Sequence, residues 1–260
     1  MPERAPFSCP ATAQVPSGFL HGYVVTNMKS LHRSYRQIRR MVHVLQGNDI
    51  WQGVQQKCAQ LALGNEGAAW CLCPEGLSAS SVIYCAGVGE DISFDLELVR
   101  RFGVHVHAFD PTPRVIQWVQ SQTLPQEFAF HPYGVADFDG TCKFLPPKNP
   151  RHVSHSLLPR ETPWSAIQVP VYRLATITGM LGHAGIDLLK MDVEGAEYGV
   201  IADLLTCGIR PGQILVEFHH RWPEVGLEKT HRAIQALNAA GYRIFHVSTS
   251  GEEYSFKLNL

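Results

Sequence analysis

The apolar run Val82-Ile83-Tyr84-Cys85-Ala86 ends on Gly87-Val88-Gly89, and a helical pattern through Leu96 and Val99 follows at once. A strand that turns on glycine directly into a helix restricts the architecture more than any other feature of the chain, because such units stack as βαβ repeats on a parallel sheet. The grammar recurs. Val104–Phe109 is a second apolar strand, followed by a helix from Arg114 to Gln122, and Phe128–Phe130 is a third. Ile186–Met191 and a helix from Glu197 come next, then Gln213–Phe218 and a helix from Gly226 to Ala240. Tyr242–Val247 and Tyr254–Leu258, joined by Ser248–Glu252, read as a closing hairpin. The expected fold is α/β and Rossmann-like, with a mostly parallel seven-stranded sheet and an antiparallel C-terminal edge strand.

Residues 1–66 follow other rules. Pro2, Pro6, Pro10 and Pro16 mark an arm without period, and Leu31, Tyr35, Ile38, Val42 and Leu45 then recur at helical spacing up to Gly47. Arg33, Arg36, Arg39 and Arg40 fall mostly on the opposite face, which predicts a solvated polar side. A second helix is expected from Asp49 to Leu63. This arm and helical cap precede a domain over 67–260, and residues 140–170, rich in Pro, His and Ser, form an irregular insertion within it. There are no internal repeats.

Composition narrows the function classes. A net charge of −1 over 260 residues gives no electrostatic case for nucleic acid, and the Asn-Pro-Pro-Tyr type motif of base methylation is absent. No stretch approaches 18 apolar residues and no leader pattern opens the chain, so neither a membrane span nor a signal peptide is expected. The seven cysteines are irregularly spaced. Cys71 and Cys73 form CxC without a second pair, against structural zinc, while Cys58, Cys85 and Cys207 read as core thiols of a cytoplasmic protein.

Glycine lets the backbone approach a ligand closely, and a helix start favours negative charge. Asp110 closes the next strand about twenty residues on, where a carboxylate accepts hydrogen bonds from both hydroxyls of a ribose. A dinucleotide would also need glycine at 92 and no acids in the loop, but the chain has Ile92, Glu90 and Asp91. Carboxylates there repel a pyrophosphate and attract an ammonium, so S-adenosylmethionine is favoured over NAD as cofactor.

Three segments resemble the FkbM-type methyltransferases: Gly87-Val88-Gly89-Glu90-Asp91-Ile92-Ser93-Phe94-Asp95, Phe109-Asp110-Pro111-Thr112-Pro113 and Lys190-Met191-Asp192-Val193-Glu194-Gly195-Ala196-Glu197. The resemblance covers roughly residues 68–258. It implies a class I methyltransferase fold, S-adenosylmethionine as donor and an oxygen acceptor. Where the broader class often has an acid two residues before the first glycine, this chain has Cys85, which transfers the ammonium-binding role to Asp91, with Ser93 beside it. Gly87, Gly89, Asp110, Pro111, Tyr133, Gly134, Val135 and Asp192 complete the expected cofactor site.

Methyl transfer requires an aligned acceptor and a destination for its proton. Asp192 ends the fourth strand of the parallel series, and ligands bind at carboxyl ends of such strands. Alternation along Glu217-Phe218-His219-His220 puts Glu217 and His219 on one face. Asp192, Glu217 and His219 are thus expected to converge, with neutral His219 as the base. The same three would be the ligands if a divalent metal were bound, a reading not favoured. Glu197 is expected to cap its helix, and Trp222, Trp164 and the histidines at 152 and 155 are candidates for pocket walls. The expected activity is O-methylation of a small-molecule hydroxyl on a sugar, polyketide or other natural product. Two alternatives stand beside it: an NAD-dependent oxidoreductase, and a non-catalytic binding protein retaining the fold. The helical appendage offers a surface for a homodimer.

Overall fold

The computed structural model describes residues 37–144 and 166–259. Parallel strands β3 (Val82–Ala86), β4 (His105–Phe109), β5 (Phe128–His131), β9 (Leu188–Met191) and β10 (Gln213–Glu217) build a seven-stranded sheet with the hairpin β11 (Tyr242–Val247) and β12 (Glu253–Leu258). The order is β11-β12-β10-β9-β3-β4-β5. Connections run outward from β3 in both directions, so β3 and β9 meet where the strand order reverses, the place at which such sheets bind ligands.

Strand alternation makes two cores. Tyr84, Ala86, Leu189, Met191, Ile214 and Val216 face one side, where α4 (Leu174–Leu181), α5 (Glu197–Thr206) and α6 (Leu227–Ala239) cover them. Ile83, Cys85, Val106, Ala108, Leu188 and Leu215 face the other, under α2 (Ser93–Phe102), α3 (Pro113–Gln120) and the antiparallel hairpin β1 (Leu61–Leu63) with β2 (Trp70–Leu72). Burial on both faces explains why the central strands read as unbroken apolar runs.

The structure corrects several expectations. The C-terminal strand is antiparallel as expected, but it is not the edge. Tyr254 and Phe256 are fully buried, and β12 inserts between β10 and β11. The exposed edge is therefore β11, and residues 55–60 cover it: the Gln55 and Gln56 amides donate to Ile244 O (2.7 and 3.1 Å), and Gln60 Nε2 donates to Phe245 O (2.8 Å). The helix expected from Asp49 to Leu63 does not form, because that segment gives its amides to the sheet instead. α4 was not expected; its Ala-Thr-Ile-Thr-Gly composition is a poor helical signal, and burial of Leu174 and Ile177 overrides it. The 140–170 insertion is regular at its ends, where β7 (Gly140–Phe144) and β8 (Ile167–Tyr172) pair in a small sheet with β6 (Gly134–Val135). The histidines at 152 and 155 and the tryptophan at 164 lie outside the described residues. Cys207 is exposed rather than in the core.

Residues 37–45 form a helix, α1, whose apolar residues face outward, against expectation, while Arg39 is exposed as expected. Ile38, Met41, Val42 and Leu45 are exposed among the described residues. Arg40 faces the protein, donating to Ile50 O (3.1 Å) and stacking on Trp51.

Asp49 anchors the strap that follows. Its side chain is buried and accepts hydrogen bonds from the Ile50 amide (2.6 Å), His220 Nε2 (2.9 Å) and Arg221 Nη2 (2.6 Å). Burial pushes its pKa up, but His220, Arg221 and the Ile50 amide outweigh this and hold it at about 2. Asp49→Ala is expected to cost about 2–3 kcal/mol, since it strands buried donors. Because the folded-state value is depressed, this contribution is present above pH 3.8 and is lost as pH falls towards 2. Urea unfolding of both proteins at neutral pH and near pH 2 checks this; the gap between them should shrink in acid.

Candidate active site

Ladder hydrogen bonds continue past the strand ends and bring three loops together. Gly87 N donates to Phe109 O (2.9 Å), Asp192 N to Ala86 O (3.0 Å) and Asp110 N to His131 O (3.2 Å). Gly87, Asp110 and Asp192 therefore stand side by side at the carboxyl ends of β3, β4 and β9. At Gly87 (φ +74°) no other residue fits: an added Cβ would overlap the Asp192 carbonyl oxygen and lie 2.7 Å from its carbonyl carbon. Gly89 (φ +59°) has open space around it.

Two adjoining compartments share Gly87, Gly89 and Asp192. One is largely apolar, walled by Phe109, Pro111, Val115, Gly134, Val135 and Val171. Asp110, Thr112, Asp192 and Glu194 are its polar residues, and Asp110 stands at the end of β4 there. That carboxylate is buried, accepts from the Gly89 amide (3.2 Å) and the Thr112 amide (2.9 Å), and projects from the end of β4. Burial raises its pKa, and these amides oppose the rise. The other compartment is acidic, with Glu90, Asp91, Asp192, Glu217 and Glu253 on its wall beside Trp70 and Lys190.

The expected cofactor residues divide. Gly87, Gly89, Asp110, Pro111, Gly134, Val135 and Asp192 line the apolar compartment, and Asp91 lines the acidic one. Both Asp91 oxygens are engaged, by Ser93 N (2.9 Å) and Asn65 Nδ2 (3.2 Å). Ser93 lines neither compartment; its hydroxyl accepts from the Asn65 amide (2.8 Å) and ties the β1–β2 turn to α2. Tyr133 packs among Phe109, His131 and Tyr172, also away from both. Glu90 is held by Arg114 through two 2.7 Å hydrogen bonds, which offsets its charge.

Asp192 and His219 do come together, but Glu194 joins them in place of Glu217. His219 Nε2 lies 3.8 Å from Asp192 Oδ1 and 3.5 Å from Glu194 Oε2. Its Nδ1 is 3.2 Å from Glu197 Oε1, which also accepts the His219 amide (3.0 Å), while Glu197 Oε2 accepts the Gly195 amide (2.8 Å). Glu197 is fully buried, so besides starting its helix it anchors the imidazole. Trp222 packs against the ring at a 51° tilt, with centroids 4.4 Å apart. Glu194 has φ +52°, uncommon without glycine and typical of residues aimed at a site. Burial alone would lower the His219 pKa, yet the Glu197 hydrogen bond and the charges of Glu197, Glu194 and Asp192 raise it to about 9. A cation is therefore favoured there, unlike the neutral imidazole expected of a base at pH 7. Glu217 faces the acidic compartment, where burial and then the Asp192 charge push its pKa up to about 8. His220 points the other way, to Asp49.

Sequence reasoning gave Glu253 no role, Lys190 only a place in the third motif, and Glu194 only that place and a share in capping the following helix. Lys190 is buried, donates to the Gly87 carbonyl and lies 5.1 Å from the Trp70 ring centroid. Its signal was present, as the single charge inside the apolar strand Leu188–Met191. No helix among the described residues is long and apolar enough to cross a membrane.

Comparison with known proteins bears on this arrangement. Two curated relatives, both named probable methyltransferase-like protein 24, are 29% (Rattus norvegicus) and 25% (Homo sapiens) identical over 175 residues. Each match spans 63% of this chain but 42% of the relative, less than half its length. Among solved structures, the methyltransferase FkbM of Methylobacillus flagellatus is similar at 14% identity and a TM-score of 0.43, covering 69% of this chain and 44% of that one. Aeropyrum pernix fibrillarin, crystallised with natively bound S-adenosyl-L-methionine, is similar at 11% identity and a TM-score of 0.37, covering 81% and 85%. A family model of the methyltransferase FkbM domain matches residues 46–244. The glycine turn, Asp110 and the Asp192–Glu194 bend all fall inside that span, and the chain belongs to the FkbM-domain methyltransferases.

Proposed function

We propose that this chain transfers the methyl group of S-adenosylmethionine to a hydroxyl oxygen of a small molecule. The observation that carries the reading is the pairing of the two compartments across Gly87, Gly89 and Asp192. The apolar one suits an adenine, and Asp110 at its wall suits the two ribose hydroxyls. The acidic one suits the ammonium and sulfonium of the methionine moiety, and Lys190 is the cation available to its carboxylate. With Glu90 offset by Arg114, this attraction rests on Asp91, Asp192 and Glu253. A pyrophosphate would meet these same carboxylates, which disfavours NAD.

In the transfer the acceptor oxygen attacks the methyl carbon in line, the carbon–sulfur bond breaks, and the hydroxyl proton must leave. Asp192 borders both compartments and is the carboxylate placed to take it, with His219 and Glu194 adjusting the charge around it. Residues 67–260 form the transfer domain in this reading, and the preceding arm and cap an appendage.

Asp110→Ala removes a charge-assisted acceptor for two ribose hydroxyls. Affinity for S-adenosylhomocysteine should fall about 100-fold, from roughly 1.5 kcal/mol for each hydrogen bond to a charged group. Calorimetric titration reads this, with thermal unfolding as the folding control and NAD as competitor. Undiminished donor affinity in the variant, or NAD binding in the wild type, would overturn the cofactor reading. Labelled donor offered with a panel of hydroxyl compounds tests the acceptor class.

A further inference from the structure

We propose that Asp192, Glu194 and His219 bind one divalent transition-metal ion at the inner end of the donor pocket. One donor atom from each lies within 4.8 Å of the others. The gaps of 3.8 and 3.5 Å from His219 Nε2 to the two carboxylates are too long for charge-assisted hydrogen bonds, which close to about 2.7–2.9 Å. They match a shared ion better, since two donors each about 2.1 Å from a metal at a tetrahedral angle stand about 3.4 Å apart.

Three further observations point to a ligand. Asp192 Oδ1 is itself shielded, on a side chain 32% exposed, and has no hydrogen-bond partner among the described residues. The His219 side chain is only 8% exposed and directs Nε2 into the same gap, where an ion would take the place of the Nε2 proton. Its Nδ1 is held by Glu197, itself fully buried and fixed by the Gly195 amide, the outer-shell carboxylate that orients metal-binding imidazoles. One imidazole with two carboxylates favours Mn²⁺, Fe²⁺, Co²⁺ or Zn²⁺ over Ca²⁺. The set differs from the one expected from sequence, since Glu217 turns to the acidic compartment and Glu194 supplies the second carboxylate.

Asp192 borders both compartments and Glu194 the apolar one, so the ion would stand where the two compartments meet. Resting on the proposed O-methylation, its task there would be to hold and acidify the acceptor hydroxyl.

The test is Mn²⁺ uptake by the full chain after chelation, followed by electron paramagnetic resonance of the free ion, with S-adenosylhomocysteine affinity measured separately. One Mn²⁺ should bind per chain. Glu194→Gln should weaken it about tenfold or more, as should His219→Gln. The unfolding midpoint of Glu194→Gln should show that the fold survives. Absence of uptake in the wild type, or equal uptake in a folded Glu194→Gln, overturns the proposal. Mn²⁺ binding without S-adenosylhomocysteine binding would sustain the ion site and sink the donor reading, so the two failures are separable.

Discussion

Gly87→Ala is expected to destabilise the protein by about 4 kcal/mol or more and to abolish donor binding, the largest effect of any single methyl group in the site. The added Cβ would overlap the Asp192 carbonyl oxygen, and neither partner can retreat. Asp192 is pinned by the hydrogen bond from its amide to the Ala86 carbonyl, Gly87 by the one from its amide to the Phe109 carbonyl, and the Gly87 carbonyl accepts from the buried Lys190 ammonium. Relief requires parting the β3 and β9 loops, which are the floor of both compartments. Gly89→Ala is the control. It has the same left-handed backbone but open space, so its cost should be only the conformational one, about 1–2 kcal/mol. Urea unfolding with S-adenosylhomocysteine titration separates the two, and equal behaviour of both variants would refute the close-approach argument.

The second large effect is expected at Glu197. Its carboxylate is fully buried and receives the Gly195 amide, the His219 amide and His219 Nδ1. Glu197→Ala strands three donors and leaves the imidazole unsupported, at a cost of about 3–5 kcal/mol. Glu197→Gln keeps the shape and one acceptor but turns an NH₂ group towards a donor, so an intermediate loss is expected. Thermal unfolding gives the order wild type, Gln, Ala. The shift of the His219 ring signals in the Gln variant reports whether the anchor acts through the imidazole, a change that a role in helix capping alone would not produce. An Ala variant within about 1 kcal/mol of wild type would refute the anchoring role.

These two positions illustrate what was legible beforehand. Gly87 announced itself, because a glycine between an apolar strand and a helix is a local signal, and the structure supplies its physical reason in the Asp192 carbonyl. Glu197 did not. An acid in the first turn of a helix has a sufficient local explanation in the helix dipole, and only the arrival of His219, 22 residues on, gives it a second one. Glu217 misled in the opposite sense: strand alternation pairs it with His219, but alternation cannot say that the Asp192–Gly195 bend brings Glu194 to the imidazole.

Residues 49–63 show the same limit in the backbone. Their apolar residues fit a helical period, yet the segment is drawn out along β11, because a strand edge 189 residues from Gln55 offers the Gln55 and Gln56 amides an acceptor in Ile244.

Sequence by itself determined the order and type of the βα units, the glycine bend and the acids that end β4 and β9, because these are written in local periodicity and in backbone conformations that few residues can adopt. Tertiary structure alone decided that β12 lies inside the sheet, that Lys190 lies under the Gly87 carbonyl and that Glu194 and Glu197 take opposite sides of His219. Those contacts depend on strand order and register across the sheet, which no window of neighbouring residues encodes.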